Sequence, residues 1–257
     1  MREEEKVSEK ILYVAGIGPG GREYMTEEAF AALREADVIA GYSLYADLVR
    51  PHFPDKEYLV TGMRKERERC LLALQSASEG KRTVLISGGD AAVYGMAGLV
   101  LELAEDFPEV DVQVIAGVTA ALAGSAVLGA PLGHDFCCIS LSDILTPWET
   151  VARRLRCAAE GGFVMALYNP GSRKRTCALE NAADILLEIL DPDTVCGYVR
   201  QIGRDGTESG IMTLSELKDF RADMLTTVFI GNAETIRRGR FMITPRGYRA
   251  EEKETKR

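Results

Sequence analysis

The sequence has few of the side chains from which metal centres are built. It contains 2 histidines, and its 6 cysteines include no Cys-x-x-Cys pair. Zinc and iron–sulfur sites need closely spaced cysteine or histidine ligands, so we expect no metal site in this chain. We interpret the cysteines instead as buried, reduced thiols of a cytoplasmic protein. They are Cys70, Cys137, Cys138, Cys157, Cys177 and Cys196.

Positive charge and long apolar runs are also missing. The net charge is −8, whereas a protein that binds nucleic acid needs a basic face for the phosphates, so we expect no nucleic-acid partner. No apolar stretch approaches the length of a membrane span, and the first residues are charged. We therefore expect neither a signal peptide nor a membrane segment.

The sequence does contain a regular alternation of short β-branched runs with amphipathic helical segments. This alternation is typical of a mostly parallel sheet covered by helices, and 257 residues suit two modest domains. The first helix should begin after the N-cap Thr26 and end near Ala36. We predict strands at 11–15, 38–40, 84–87, 112–115, 136–140, 163–168, 194–199, 226–231 and 241–243.

The segment Ala130-Pro131-Leu132-Gly133 breaks both helix and strand, which predicts a domain boundary at this point. We therefore expect one α/β domain over residues 11–131 and a second α/β domain over residues 132–249. The charged ends, residues 1–10 and 250–257, are expected to be disordered.

Two strand ends carry residues that a ligand explains better than folding does. One strand runs into Ser87-Gly88-Gly89-Asp90 and another into Gly117-Val118-Thr119. Open α/β sheets bind ligands at the carboxyl ends of their strands, and glycines let the backbone approach a bound molecule. Asp90 offers a charged acceptor at the expected start of a helix. Taken singly, each of these residues is better explained by a turn or a helix cap, and only their occurrence at several strand ends favours a ligand.

A third corner, Gly16-Ile17-Gly18-Pro19-Gly20-Gly21, formally matches the G-x-G-x-x-G dinucleotide fingerprint. That fingerprint needs a helix that begins on its third glycine and an acidic residue at the end of the second strand. The helix is expected only from Thr26, and Asp37 stands at the wrong end of the second strand. A nicotinamide or flavin enzyme is therefore disfavoured.

Together these corners resemble the tetrapyrrole methylases, which methylate porphyrin-like rings with S-adenosylmethionine, over nearly the whole chain. The chain departs from the family at Ala91, where proline is usual. Longer strings resemble the branch that acts on precorrin-3B or cobalt-factor III, methylating ring position 17 and contracting the macrocycle in cobalamin biosynthesis. These strings are Leu132–Phe136, Ile139–Asp143, Thr146–Glu149, Leu167–Pro170 and Thr244–Tyr248.

The resemblance implies two α/β domains with S-adenosylmethionine in the cleft between them, and a cytoplasmic homodimer. Carried over by motif, it implies cofactor contacts from the three glycine-containing corners and from two strand ends of the second half. These residues are Pro19, Gly88, Gly89, Asp90, Val93, Thr119, Ala120, Leu167 and Gly203.

Substrate charge points to a further group of residues. Corrin precursors carry many carboxylates while this chain is acidic, so recognition needs local cations whose guanidinium groups grip carboxylates. Such clusters would equally suit a phosphorylated substrate. Basic residues occur at Arg173-Lys174-Arg175, Arg200, Arg204 and Arg246. We expect substrate contacts at Ser140, Ser142, Asn169, Arg173, Arg175 and Arg246.

Ring contraction needs proton transfers, which makes His134, Asp135 and Asp143 candidate acid–base residues. Simpler roles stay open, because Asp143 could cap the helix that carries Trp148 and His134 could be an ordinary loop histidine. Methylases of uroporphyrinogen or of a later precorrin, diphthine synthase and a silent tetrapyrrole carrier are the alternatives. No residue decides between precorrin-3B and cobalt-factor III.

Overall fold

A computed structural model describes residues 10–172 and 176–248. The chain divides into two compact units, Met1–Ala120 and Ala121–Arg257. The two predicted disordered tails lie outside the described residues, with the exception of Lys10. Its carbonyl oxygen accepts a hydrogen bond of 2.8 Å from the backbone N–H of Asp111, so Lys10 belongs to the fold.

The first unit is built on a five-stranded sheet in which every neighbouring pair is parallel. The order of its strands is β3-β2-β4-β1-β5. The strands are β1 (Ile11–Gly16), β2 (Val38–Tyr42), β3 (Glu57–Thr61), β4 (Thr83–Ser87) and β5 (Asp111–Ile115). The helices are α1 (Glu27–Glu35), α2 (Ser43–Val49), α3 (Glu66–Ser78) and α4 (Ala97–Leu103), with 3₁₀ turns at Arg22–Tyr24 and Ala104–Asp106.

Alternating side chains of this sheet fill two separate cores, because successive residues of a strand face opposite sides. Leu12 of β1 packs in a cluster with Cys70 of α3 and with α4. Ala15, from the same strand, packs in a cluster with Leu33 of α1. Thr26 caps α1 as predicted, since its Oγ1 accepts a hydrogen bond of 3.1 Å from the N–H of Ala29.

The second unit contains a five-stranded sheet of order β10-β9-β11-β8-β7. Its strands are β7 (Phe136–Ser140), β8 (Val164–Tyr168), β9 (Val195–Arg200), β10 (Glu208–Thr213) and β11 (Thr226–Ile230). Its helices are α5 (Ala120–Leu128), α6 (Trp148–Glu160), α7 (Ala178–Leu187) and α8 (Leu214–Leu217). Within this five-stranded sheet, only β7 and β8 pair in parallel, so the prediction of a mostly parallel sheet is wrong for the second unit. Strands β9 and β10 are joined by residues 201–207, too few for the crossover that parallel pairing requires.

Helices α6, α7 and α8 cover one face of the second sheet. A small sheet of β12 (Ile236–Arg238), β13 (Phe241–Ile243) and β6 (Gly129–Ala130) and helix α5 contribute to the other face. A Cβ atom added at Gly124 of α5 would lie 2.9 Å from the ring of Phe229. The boundary therefore falls at Ala120 instead of after Pro131, because α5 and β6 pack within the second unit.

All six cysteines are free, but the prediction that they are buried is wrong for Cys157 and Cys177, which are exposed. Burial raises the pKa of the Cys70 and Cys137 thiols to about 11 and that of Cys196 to about 12. Within residues 10–172 and 176–248, no cluster of His, Cys, Asp or Glu side chains suits a metal ion. In the same ranges, no helix is long and apolar enough to cross a membrane.

We predict that Thr244 stabilises the second unit through its hydroxyl group. This side chain is 3% exposed, and its Oγ1 donates a hydrogen bond of 2.6 Å to the carbonyl oxygen of Pro131. Thr244→Val leaves that carbonyl without its donor, so the free energy of unfolding should fall by about 1–3 kcal/mol. Thr244→Ser keeps the hydroxyl group, so its free energy of unfolding should fall by less. Urea denaturation measures both variants, and a valine variant as stable as the wild type would contradict this role.

Candidate functional site

Three loops of the first unit follow strands β4, β1 and β5, which are neighbours in the sheet. Backbone hydrogen bonds join the loop after β1 to the loop after β4. Gly18 donates to Gly89 at 3.0 Å, and Gly89 donates back to Gly18 at 2.8 Å. Pro19 and the predicted glycine pair therefore lie on adjoining loops at the carboxyl edge of a parallel sheet, where open α/β folds bind ligands.

The close approach of these loops requires glycine at several positions. A Cβ atom on Gly16 would lie 2.7 Å from the carbonyl oxygen of Gly89, and one on Gly117 would collide with the same oxygen. A Cβ atom on Gly88 would enter the ring of Tyr45. Gly16, Gly88 and Gly117 are thus needed for packing, whether or not a ligand is bound.

Gly89 differs from these glycines because a Cβ atom added to it would collide with no other atom. Its φ is +75°, and an added Cβ atom would meet no atom closer than the Cα of Thr119, at 3.8 Å. The next nearest atom is the backbone nitrogen of Ala120, the first residue of α5. The structure therefore brings Gly89, Thr119 and Ala120 together around a surface formed by main-chain atoms, which suits a small-molecule ligand.

The Asp90 carboxylate links two of the loops. One oxygen accepts hydrogen bonds from Ala92 N (2.8 Å) and Val93 N (3.1 Å), and the other accepts from Gly117 N (2.8 Å). Asp90 does not open a helix as expected, because the loop continues to the start of α4 at Ala97. Both oxygens already hold backbone donors, so the carboxylate positions the loops.

In the second unit, strands β7, β8 and β9 run in the same direction, which places their carboxyl ends on one edge of the sheet. Ser140 Oγ accepts hydrogen bonds from the side-chain amide of Asn169 (3.0 Å) and from Ser142 N (3.3 Å). Asn169 has a φ of +54°. A left-handed backbone is costly in a non-glycine residue and is typical of functional sites. Gly203 follows β9 on this edge and has a φ of +66°.

Tyr168 is a candidate that the sequence did not suggest. Its phenolic oxygen accepts a hydrogen bond of 2.8 Å from Ala121 N, in the first turn of α5. Leu167, which was predicted to contact the cofactor, has a fully buried side chain in the core beneath α6 and α7. Leu167 is 0% exposed as a whole, whereas Tyr168 carries a polar group at the end of the strand.

The candidate acid–base residues are not brought together. Asp143 follows the carboxyl end of β7 and lines a cavity of about 250 Å³ with Trp148 and Asn181. His134 and Asp135 precede the amino end of β7, which spans about 13 Å. A single proton transfer can therefore involve Asp143 or the His134–Asp135 pair, but not both.

The His134–Asp135 pair has its own surroundings. His134 Nδ1 accepts a hydrogen bond of 2.8 Å from Asp135 N, and both side chains are exposed. They line a cavity of about 160 Å³ with Glu234 and Pro245. Arg246 follows Pro245 directly, so this predicted substrate contact lies nearer to His134 than to the carboxyl end of β7.

The described residues include only part of the predicted cation clusters. Arg173 and Arg175 lie outside those residues. Arg200 is held by two carboxylates, with distances of 3.1 Å to Glu208 and 3.5 Å to Asp223. Among the predicted cations, Arg246 is exposed, and its guanidinium carbon lies 5.8 Å from the ring centroid of Tyr248.

Comparison with known proteins gives the family of the chain. Residues 11–218 match the family of Tetrapyrrole (Corrin/Porphyrin) Methylases. The chain is 45% identical over 239 residues to the probable cobalt-factor III C(17)-methyltransferase of Salmonella typhimurium, covering 93% of this chain and 99% of that protein. It is 43% identical over 228 residues to a precorrin-3B C(17)-methyltransferase of a Sinorhizobium species, covering 87% and 89% of the two chains.

A solved structure is similar as well. The crystal structure of the methyltransferase CobJ matches with a TM-score of 0.84 and 39% identity, covering 91% of this chain and 99% of that one. Some relatives are longer, and this chain spans 45% and 52% of the length of two of them. The extent of the family match and the identity to full-length relatives show that the chain belongs to the tetrapyrrole (corrin/porphyrin) methylases.

Proposed function

We propose that the chain methylates ring position 17 of a corrin precursor, precorrin-3B or cobalt-factor III, and contracts its macrocycle. The methyl donor in this proposal is S-adenosylmethionine, and the pathway is cobalamin biosynthesis. The observation that carries the proposal is the main-chain surface around Gly89, where three loops meet at the carboxyl edge of a parallel sheet and an added Cβ atom would meet no atom closer than 3.8 Å. The names of the relatives supply the substrate class.

The residues around Gly89 fit a small cofactor that is held mainly by backbone atoms. Thr119 and Ala120 would contact it at the start of α5, and Val93 and Pro19 lie on the flanking loops. When bound, S-adenosylmethionine would supply an electrophilic methyl group for an electron-rich ring carbon. For methyl transfer, the chain chiefly has to hold the two reactants in line. Such positioning can supply much of the rate enhancement of an enzyme.

Ring contraction asks for more than positioning, because protons must move. On the carboxyl edge of the second sheet, the linked side chains of Ser140 and Asn169 and the phenol of Tyr168 would orient the ring. Asp143 lies on the same side, beside the cavity of about 250 Å³. We therefore favour Asp143 over His134 as the acid–base residue of contraction.

The finer points of the proposal rest on the family resemblance. They include a homodimer, a cytoplasmic location and the choice between the cobalt-containing and the metal-free substrate. Methylation of uroporphyrinogen, of a later precorrin or of the diphthamide precursor is the alternative activity. The relatives named for position 17 favour the first proposal over these alternatives.

We predict that Gly89→Ala weakens the binding of S-adenosylhomocysteine about tenfold or more. The added methyl group would fill the space beside Thr119, at 3.8 Å from its Cα atom. Gly239→Ala is the control, because Gly239 also has a positive φ, of +57°, but a Cβ atom added to it would have nothing within 4 Å. Both variants should lose about 1–2 kcal/mol of stability from left-handed alanine. Isothermal calorimetry measures the affinity, and unchanged binding in a folded Gly89→Ala protein would rule out this cofactor site.

We further predict that Asp143→Asn separates the two activities. Contraction should fall about 100-fold or more, since a general acid–base group contributes at least that factor, while methyl transfer falls less. A methylated, uncontracted ring should accumulate, as seen by mass spectrometry and by the absorption spectrum. His134→Ala should retain more contraction than Asp143→Asn. The reverse order would assign the proton transfers to the His134–Asp135 pair.

A further inference from the structure

Arg69 of helix α3 is a buried charge without a counter-charge. Its residue is 4% exposed, and among the described residues it is the only buried Arg, Lys, Asp or Glu. No carboxylate of the described chain lies within 4.0 Å of its guanidinium group, so it forms no salt bridge there. Arginine keeps its charge in proteins, and a buried ion without a partner is unfavourable.

The contacts of the guanidinium group are all neutral. Nε donates to Thr61 Oγ1 at 2.8 Å, and Nη2 donates to the carbonyl oxygen of Gly62 at 2.9 Å. Nη1 faces only the sulfur of Met96, at 3.8 Å, and a thioether is a weak acceptor. Because a guanidinium group has five N–H donors, the Nη1 side keeps donor capacity for an anion.

The guanidinium group of Arg69 lies beside the edge of the sheet at which α/β folds bind ligands. Thr61 ends β3, Tyr42 ends β2, and Met96 lies in the loop that follows β4, so the guanidinium group lies at the carboxyl edge of three neighbouring strands. Its central carbon is 5.7 Å from the ring centroid of Tyr42. The nearby residue Arg64 has a φ of +64°, a costly conformation for a side chain of this size.

Two tyrosines lie between Arg69 and the loop after β4, which contains Gly88 and Gly89. The rings of Tyr42 and Tyr45 meet edge to face with centroids 5.6 Å apart. Tyr45 in turn lies directly against Gly88, which has no room for a Cβ atom. Arg69 is therefore packed into the wall behind the loop that includes Gly89, within the first unit.

We propose that Arg69 forms an anion-binding subsite that receives a carboxylate of a bound ligand. A carboxylate matches the planar guanidinium fork and would supply the missing negative charge. Met96, a flexible side chain, would move from Nη1 to admit it. The proposal rests on the proposed function, which supplies two sources of carboxylate: the side chains of the corrin precursor and the amino-acid end of the cofactor.

The test compares Arg69→Gln with the wild type and with Arg67→Gln. Arg67 is on the same helix and is exposed, so its variant removes the same charge without touching the subsite. Three ligands are titrated: S-adenosylhomocysteine, its analogue without the carboxylate, and cobalt-factor III. We expect Arg69→Gln to weaken a carboxylate-bearing ligand about 10- to 100-fold, and Arg67→Gln to bind all three like the wild type.

The pattern of losses identifies the source of the carboxylate. If S-adenosylhomocysteine binds more weakly while its carboxylate-free analogue does not, the cofactor supplies the carboxylate. If cobalt-factor III binds more weakly while both cofactor ligands bind as they do to the wild type, the substrate supplies it. Either result supports the subsite. Arg69→Lys keeps the charge but not the planar guanidinium fork, so it should lose less affinity than Arg69→Gln. It replaces Arg69→Gln in the test if the glutamine variant does not fold. Unchanged affinity for all three ligands, or equal losses with and without the carboxylate, would overturn the Arg69 proposal. Failure of the wild type to bind cofactor or tetrapyrrole would overturn the proposed function as well.

Discussion

The candidate site depends on the close approach of three main-chain loops in the first unit, and the Asp90 carboxylate stabilises that approach. One of its oxygens holds the loop after β4 in shape, and the other accepts the N–H of Gly117 from the loop after β5. Reciprocal hydrogen bonds between Gly18 and Gly89 add the loop after β1. The glycines permit the contact, and the main-chain surface around Gly89 is its result. Side chains would collide here, which explains a site formed largely by backbone.

Much of the first unit could be predicted from the sequence, because its strands, helix caps and turns depend on residues that are close together in the chain. Strand β4 is a short, fully buried run, Thr26 is an effective helix cap, and glycines at strand ends mark a close approach of the backbone. Strand β3 was missed because it is a partly exposed edge strand with little pattern. The antiparallel pairing of the second sheet and the packing of α5 against Phe229 depend on contacts distant in sequence.

Neighbours in sequence were a poor guide to neighbours at the site. His134 and Asp143 are close along the chain, but strand β7 lies between them and carries them to opposite edges of the sheet. Conversely, Arg69 stands in an ordinary charged helix, and only its burial among Thr61, Gly62 and Met96 distinguishes it. A buried cation with neutral contacts is visible only in three dimensions.

In the proposed function, this chain adds a methyl group at ring position 17 of a corrin precursor and contracts the ring. The most direct measurement incubates the purified protein with isotopically labelled S-adenosylmethionine and either cobalt-factor III or precorrin-3B, and locates the label by NMR. We expect one labelled methyl group at position 17 of a contracted ring from at least one of the two substrates. A label at another ring position, or no label on either substrate, would contradict this function.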